Sequence, residues 1–436
     1  MVVGRISAIV EKGGLIDEKL VRRKLSNGLE CGVVPRSEFA RKFAIIATDF
    51  GSNDQSFISP ATGERVDLPA GVAHFLEHKM FEKKWGKVFD RFSMLGANAN
   101  AFTSHTVTAY HFSCTSNFPE SLKLLIETVE DLHLTRENVK KEVGIIQQEI
   151  LMYKDNPNWQ LSTGLLEALY QKHPVRIDTA GTVESVGSIT KKVLTECFES
   201  FYTPANMIIV VAGDLDPEEV FEMCESQVKH RSRYGRPRRM KVREPKSVMA
   251  PKVTSFMEIE RPKIAIGFKN INPYSGGARL VRNTLETDLL MGIMFGKSNP
   301  VYLKMYEKGI IDESFSASYS SNRGFGYSII GGDTDSPDSF IEECMKAISR
   351  VKKRGISKGD FSRTRKRMFG AYLRRFNHLE GSAMRVISGR FLKHNPFEMV
   401  EILDSITIDD INRRACEHLR EKAMSVSMVL PAEKVK

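Results

Sequence analysis

The chain has 436 residues, 41% of them hydrophobic and 27% charged, which excludes a disordered or fibrous protein and exceeds what one ordinary core accommodates. Its 64 Lys and Arg against 54 Asp and Glu leave a formal charge of +10, which favours acidic partners or nucleic acid only where the excess is concentrated. No stretch reaches about 18 uninterrupted apolar residues, and the first residues hold no apolar run between a basic start and a small-residue cleavage site, so a cytoplasmic protein with no membrane segment is expected.

In chain order, the first strong signal is the strand-like alternation of "RKFAIIATDFGSND", closed by turn residues. The stretch "AGVAHFLEHKMFE" follows, and a helix is expected from Gly71 to Lys84 because Val72, Leu76, Met80 and Phe81 recur at helical spacing. On that helix His74 and His78 are one turn apart on one face, and Glu77 borders the same face. One histidine on an apolar helix is ordinarily a satisfied core residue. Two imidazoles about 5–6 Å apart at Cβ can instead chelate zinc, and a glutamate beside them can take the proton of a metal-bound water. A third ligand is needed to decide between the two.

The helix expected from "TRENVKKEVGIIQQEILMY" supplies one. Glu142 and Glu149 are seven residues apart and so share a face. Ile145, Ile146, Ile150 and Leu151 mark the Glu149 end as buried, where a carboxylate is costly unless a metal holds it. Glu149 is therefore the expected third ligand of one Zn2+ per chain, with a fourth position open, and Glu142 the carboxylate that orients a histidine.

Beyond this helix, the basic run "KHRSRYGRPRRMKVREPK" (Lys229–Lys246) carries two prolines and no aromatic ladder for stacking bases, so it reads as a solvated linker rather than a nucleic-acid arm. It divides the chain into residues 1–228, a linker over 229–250, and residues 251–436. The halves echo each other. Residues Thr108–Ile150 and Phe325–Met368 share a layout of β-rich run, proline (Pro119, Pro337), amphipathic helix, capping signal (Thr135, Ser357) and longer helix, while "RPKIAIGFKNINP" repeats the early strand. The expected fold class is α+β, with two homologous halves, each a mainly antiparallel sheet covered by helices on one face. The space between such halves is a natural place for a substrate. Six scattered cysteines read as reduced structural thiols.

With these residues in place, the sequence resembles the pitrilysin/insulinase family of zinc peptidases with the inverted His-x-x-Glu-His motif, and within it the bacterial chains related to mitochondrial processing peptidase. "NGLECGVVP", "GANANAFTSHTVTAYHF", "HPVRIDTAGTVESVGSIT" and "FYTPANMIIVVAGDLD" follow in the family's order, and "DNPNW" (Asp155–Trp159) resembles a subgroup that occurs beside a related partner protein. The resemblance implies a zinc endopeptidase for short or unfolded polypeptides, with His74, His78 and Glu149 as ligands, Glu77 as catalytic base and Glu142 as supporting catalytic carboxylate. It also implies a peptide-binding sheet edge at "NANAFTS", with Asn98, Asn100, Ala101, Phe102 and Thr103 on the substrate strand.

Two departures accompany it. Asp288, Met291 and Gly292 of "DLLMGIMF" stand where His74, Glu77 and His78 stand in the first half, so the second half is not expected to bind metal. Met305 and Asp312 stand where the family often has an arginine and a tyrosine that hold the oxyanion; Arg323 and Tyr327 are a shifted alternative. A peptide substrate and a homologous subunit bringing the missing pair, or a second copy, are therefore the expected partners. Two other classes remain: a scaffold subunit of the same fold without catalysis, and a nucleic-acid binder working through the linker.

Overall fold

The computed structural model describes residues 8–12, 18–228 and 235–432. They group into two units, each built on one mixed sheet. The first unit holds strands β1 (Ile9–Lys12), β2 (Lys19–Lys24), β3 (Glu30–Pro35), β4 (Lys42–Thr48), β5 (Asn98–Thr103), β6 (Thr108–Cys114) and β7 (Met207–Gly213), in the order β1-β2-β3-β7-β4-β6-β5. Only β3 and β7 run parallel. The second unit holds β8 (Lys252–Met257), β9 (Lys263–Lys269), β10 (Ser316–Asn322), β11 (Phe325–Asp333) and β12 (Met424–Pro431), in the order β8-β12-β9-β11-β10, with β8 and β12 parallel. Five strands thus repeat one pairing scheme, and each unit ends in an exposed-edge strand, β5 or β10. This is the α+β fold of two related halves that the internal echo predicts.

The sheets are buried on both faces. In β7 every residue is buried; Ile209 and Val211 join the main core of the first unit, while Ile208 and Val210 alternate to the other face. That other face takes a helix from elsewhere in the sequence. Leu379–Leu392 lies against the first unit's sheet, where a Cβ on Gly32 of β3 would touch Val386 at 3.4 Å. In the second unit the helix Pro157–Leu169 covers β9 so closely that a Cβ on Gly267 would meet Leu169 at 2.8 Å and Leu165 at 2.9 Å. The units therefore cut across the chain's halves: Leu151–Ile177 belongs to the second, and Arg374–Phe391 to the first.

Most described residues of the basic stretch between the halves are exposed, as a solvated linker would be, but Arg239 and Glu244 have fixed partners. Residues 229–234 lie outside the described residues. Beyond them, Arg238–Arg239 pairs with Ser56–Ile58, and Arg239 bonds to Asp54 at 2.5 Å and lies 3.2 Å from Asp49. Glu244 receives the backbone N–H groups of Gln171, Lys172 and His173 at 2.8 Å each and pairs with the buried Lys269 at 2.8 Å. Local charge density gave no hint that these particular side chains have fixed partners.

The two helices that matter most are α1 (Val72–Met80) and α2 (Arg136–Lys154). α1 starts at Gly71, whose φ of 94° is left-handed, and any side chain there would strike the Ala180 carbonyl at 2.4 Å. Gly181, at φ 83°, makes the reciprocal approach to Ala70, and Ser185 Oγ donates to the Ala70 carbonyl at 2.9 Å. α1 ends earlier than the expected Lys84, because Glu82–Lys83 turns back on Gly86–Lys87 as a short hairpin. Thr135 caps α2 as expected, accepting from Asn138 N at 3.1 Å.

Lys83 fixes the far end of this region. It is buried, and its ammonium donates to the Thr128 carbonyl at 2.7 Å and to that of Asp131, at the end of the helix Phe118–Glu130. Burial pushes its pKa down to about 8 against the pull of Asp131. Lys83→Met leaves these carbonyls unpaired and is expected to lower stability by about 1–3 kcal/mol, read from the denaturant midpoint.

Candidate metal centre

Every residue of the candidate centre lies in the first unit. α1 puts His74 and His78 on one face, their ring centroids 4.5 Å apart and nearly edge to face. α2 brings Glu149 opposite them. Its Oε2 is 4.0 Å from His74 Nε2 and 3.6 Å from His78 Nε2, too far for good hydrogen bonds. The three ligand atoms lie within 4.8 Å of one another, and among the described residues this is the only such group of three. Ligands about 2.0–2.2 Å from a tetrahedral zinc stand roughly 3.4 Å apart, so the gap between these atoms suits a zinc ion better than direct contact. The donor set, two imidazole nitrogens and a carboxylate oxygen, is a zinc set.

The two rings titrate in opposite directions. Burial, with His78 beside it, pushes His74 down to about 4, so its ring is neutral at physiological pH. For His78 burial opposes the charge, but the Glu142 hydrogen bond and the surrounding carboxylates outweigh it and move the ring up. His78 Nδ1 meets Glu142 Oε1 at 3.0 Å, which turns Nε2 toward Glu149. Glu142 is more buried than Glu149: its other oxygen is 3.6 Å from Nζ of the fully buried Lys79, which also pairs with Glu82. Lys79 is a contributor that the motif alone did not reveal, although it directly follows His78.

Glu149 sits less deeply than the sequence suggested. Its side chain is 23% exposed, and while Ile146 and Ile150 are buried, Ile145 and Leu151 are 46% and 44% exposed. The isoleucine-rich run predicts a largely buried end, but α2 turns only one stripe inward.

Glu77 faces the same space from α1. Burial raises its pKa, and a hydrogen bond from Thr103 works against that rise. Thr103 Oγ1 donates to Glu77 Oε2 at 2.6 Å. It ends β5, the edge strand containing Asn98, Asn100, Ala101 and Phe102. Asn98 and Asn100 are exposed, the other three half-buried, and Asn100 Oδ1 accepts from Ala101 N at 2.8 Å. That local bond protects the edge, and an incoming strand would displace it.

The second unit offers nothing comparable among its described residues. Its counterpart of α1 is α3 (Gly277–Phe295), in which Met291 is buried and a Cβ on Gly292 would meet Arg367 Nη2 at 3.0 Å and Thr364 at 3.1 Å, both from α4 (Lys358–Arg375). A guanidinium occupies the space beside the residue that replaces the second histidine. Met305 is fully buried, and Asp312 bonds to Arg261 at 2.6 Å. Tyr327 lies within β11, paired with Lys269 and Ser320.

Residues 61–183 match the model of the insulinase family, peptidase family M16, and residues 188–368 match the model of the peptidase M16 inactive domain. The chain belongs to peptidase family M16. Among M16 relatives, the uncharacterized zinc protease YmfH of Bacillus subtilis is 40% identical over 95% of this chain and 97% of its own. The uncharacterized zinc protease YmxG of the same organism is 24% identical over 80% and 87%. A solved chain described as an M16-like peptidase from Alicyclobacillus acidocaldarius superposes with a TM-score of 0.92 at 35% identity, over 96% of this chain and 99% of that one. Zinc is thus a property of the family by the names of its members. No described helix is long and apolar enough to cross a membrane.

Proposed function

We propose that this M16 chain is a zinc-dependent endopeptidase acting on short or unfolded polypeptides in the cytoplasm. The observation that carries the reading is the convergence of His74 Nε2, His78 Nε2 and Glu149 Oε2, with the Glu77 carboxylate beside them. These three atoms would hold one zinc ion, which supplies Lewis acidity to an attacking water and to the scissile carbonyl. Glu77 accepts the proton of the water and returns it to the departing amine, a role its partly desolvated carboxyl suits. Glu142 holds the His78 ring with Nε2 forward, and against the effect of burial its carboxyl is held below the usual range by His78 first and Lys79 second. A substrate would lie along β5, where Asn98, Asn100, Ala101, Phe102 and Thr103 present backbone groups that bind extended peptides with little regard for their side chains.

The chain lacks donors for the oxyanion at Met305 and Asp312. An oxyanion donor contributes about 2.7–4 kcal/mol, so a homologous subunit bearing an arginine and a tyrosine is the partner this chain requires for full activity; a second copy would lack them too. The test is zinc content and cleavage of a quenched fluorescent peptide by the purified chain. One zinc per chain is expected, with slow cleavage that stops on chelation and returns with zinc. Absence of zinc, or cleavage indifferent to chelator, would sink the reading. Fast cleavage by the chain alone would remove the need for the partner.

A further inference from the structure

Glu77 is held from outside its own helix. Thr103 donates to Glu77 Oε2 at 2.6 Å, and its other hydroxyl neighbour is much farther away. Thr108, directly opposite Thr103 in the β5–β6 pairing, is fully buried and gives its own proton to the Phe50 carbonyl at 3.0 Å. The two hydroxyl oxygens are 3.4 Å apart, so Thr108 could only accept from Thr103, and weakly; the Thr103 proton goes to the carboxylate, an acceptor at 2.6 Å. The last torsion of a glutamate is broad and sets no orientation by itself. Thr103 is β-branched and stiff at χ1, and it is anchored in a strand.

We propose that Thr103 is the positioning residue of the general base: by occupying Oε2 it leaves Oε1 as the oxygen that takes the proton, and it ties the base to the strand on which substrate lies. A peptide adding to β5 orders the strand that carries Thr103, so docking of the substrate and orientation of Glu77 are one event rather than two. The proposal rests on reading Glu77 as the base. It also separates two roles within "NANAFTS": Asn98 to Phe102 offer an edge, whereas Thr103 addresses the chemistry.

The test uses the full chain, with its zinc and the partner subunit where one is needed. Thr103→Val keeps the shape and removes the hydroxyl. The expected result is a fall in kcat of about 10-fold to 100-fold, the scale of one hydrogen bond to a charged group, with KM and the affinity for a non-cleavable peptide within about twofold of wild type. Thr103→Ser restores kcat. In a Glu77→Gln background, Thr103→Val causes no further loss. A crystal structure of the metal-free Thr103→Val chain shows the Glu77 carboxylate rotated or in more than one conformer; a single unchanged conformer overturns the proposal. So does an unchanged kcat, a failure of serine to rescue, or a loss of peptide affinity that matches the loss in kcat/KM, which would make Thr103 a strand residue only. Wild-type cleavage by Glu77→Gln would instead remove the base itself, an outcome distinct from failure of Thr103 alone.

Discussion

Glu77→Gln is expected to lower peptide cleavage by about 10²- to 10⁴-fold with zinc content and thermal stability unchanged. Glutamine matches glutamate in size and still accepts the Thr103 hydroxyl through its carbonyl oxygen, so the bond at 2.6 Å survives. What is lost is the capacity to take a proton near neutral pH. None of the converging ligand atoms belongs to Glu77, which is why metal content should not move. The loss should appear in kcat and kcat/KM alike, since base catalysis operates only in the transition state. Cleavage at the wild-type rate would remove the endopeptidase mechanism, and loss of zinc along with activity would assign Glu77 to the ligand set instead.

Glu244→Ala is expected to cost the second unit about 3–5 kcal/mol, the scale for removing one partner of a buried ion pair. Lys269 has a side chain only 1% exposed, and among the described residues Glu244 is its carboxylate partner, at 2.8 Å; the Pro245 and Ser247 carbonyls also accept from it. The substitution also orphans the three backbone donors of Gln171, Lys172 and His173. Burial alone would raise the Glu244 pKa, but those donors and Lys269 outweigh it and the net shift is downward. A carboxyl whose folded pKa is depressed stabilises the fold above its unfolded value, about 4.3, and that contribution fades as pH falls through the folded value. Wild type should therefore lose stability below about pH 4.3 more steeply than Glu244→Gln, in which this carboxyl no longer titrates. Equal midpoints for Glu244→Ala and wild type in chemical denaturation would show that the clamp contributes nothing.

The sequence announced much of this architecture through periodicity. The run "MIIVVAG" is apolar at every position, which is how a strand reads when both faces are covered, and β7 is such a strand. The paired layouts around Pro119 and Pro337 foretold the matched strand orders of the two sheets. His74, Glu77 and His78 were legible because helical spacing alone puts them together. Glu149 needed a second helix, and its depth was misjudged because a run of isoleucines does not say which of them point inward. Thr103, Lys79 and Glu244 were illegible as partners: each makes its decisive contact across the fold, and no local pattern specifies a neighbour 26, 63 or 73 residues away. The exchange of helices between units was hidden for the same reason, since helix 157–169 has an ordinary amphipathic sequence and nothing in it says which sheet it covers.

That exchange has a consequence for how the chain can be divided. A protease cutting within residues 229–234 would break the backbone between the halves, yet the first fragment would still carry Leu151–Ile177, the cover of the second sheet, and the second fragment would carry Arg374–Phe391, the cover of the first. The nicked protein should migrate as one particle under native conditions and as two bands in detergent. Either fragment made alone would expose a bare sheet face, lined in β7 by Ile208 and Val210 or in β9 by Ala265 and Gly267, and would be prone to aggregate. The halves are repeated in sequence but are obligate partners in folding.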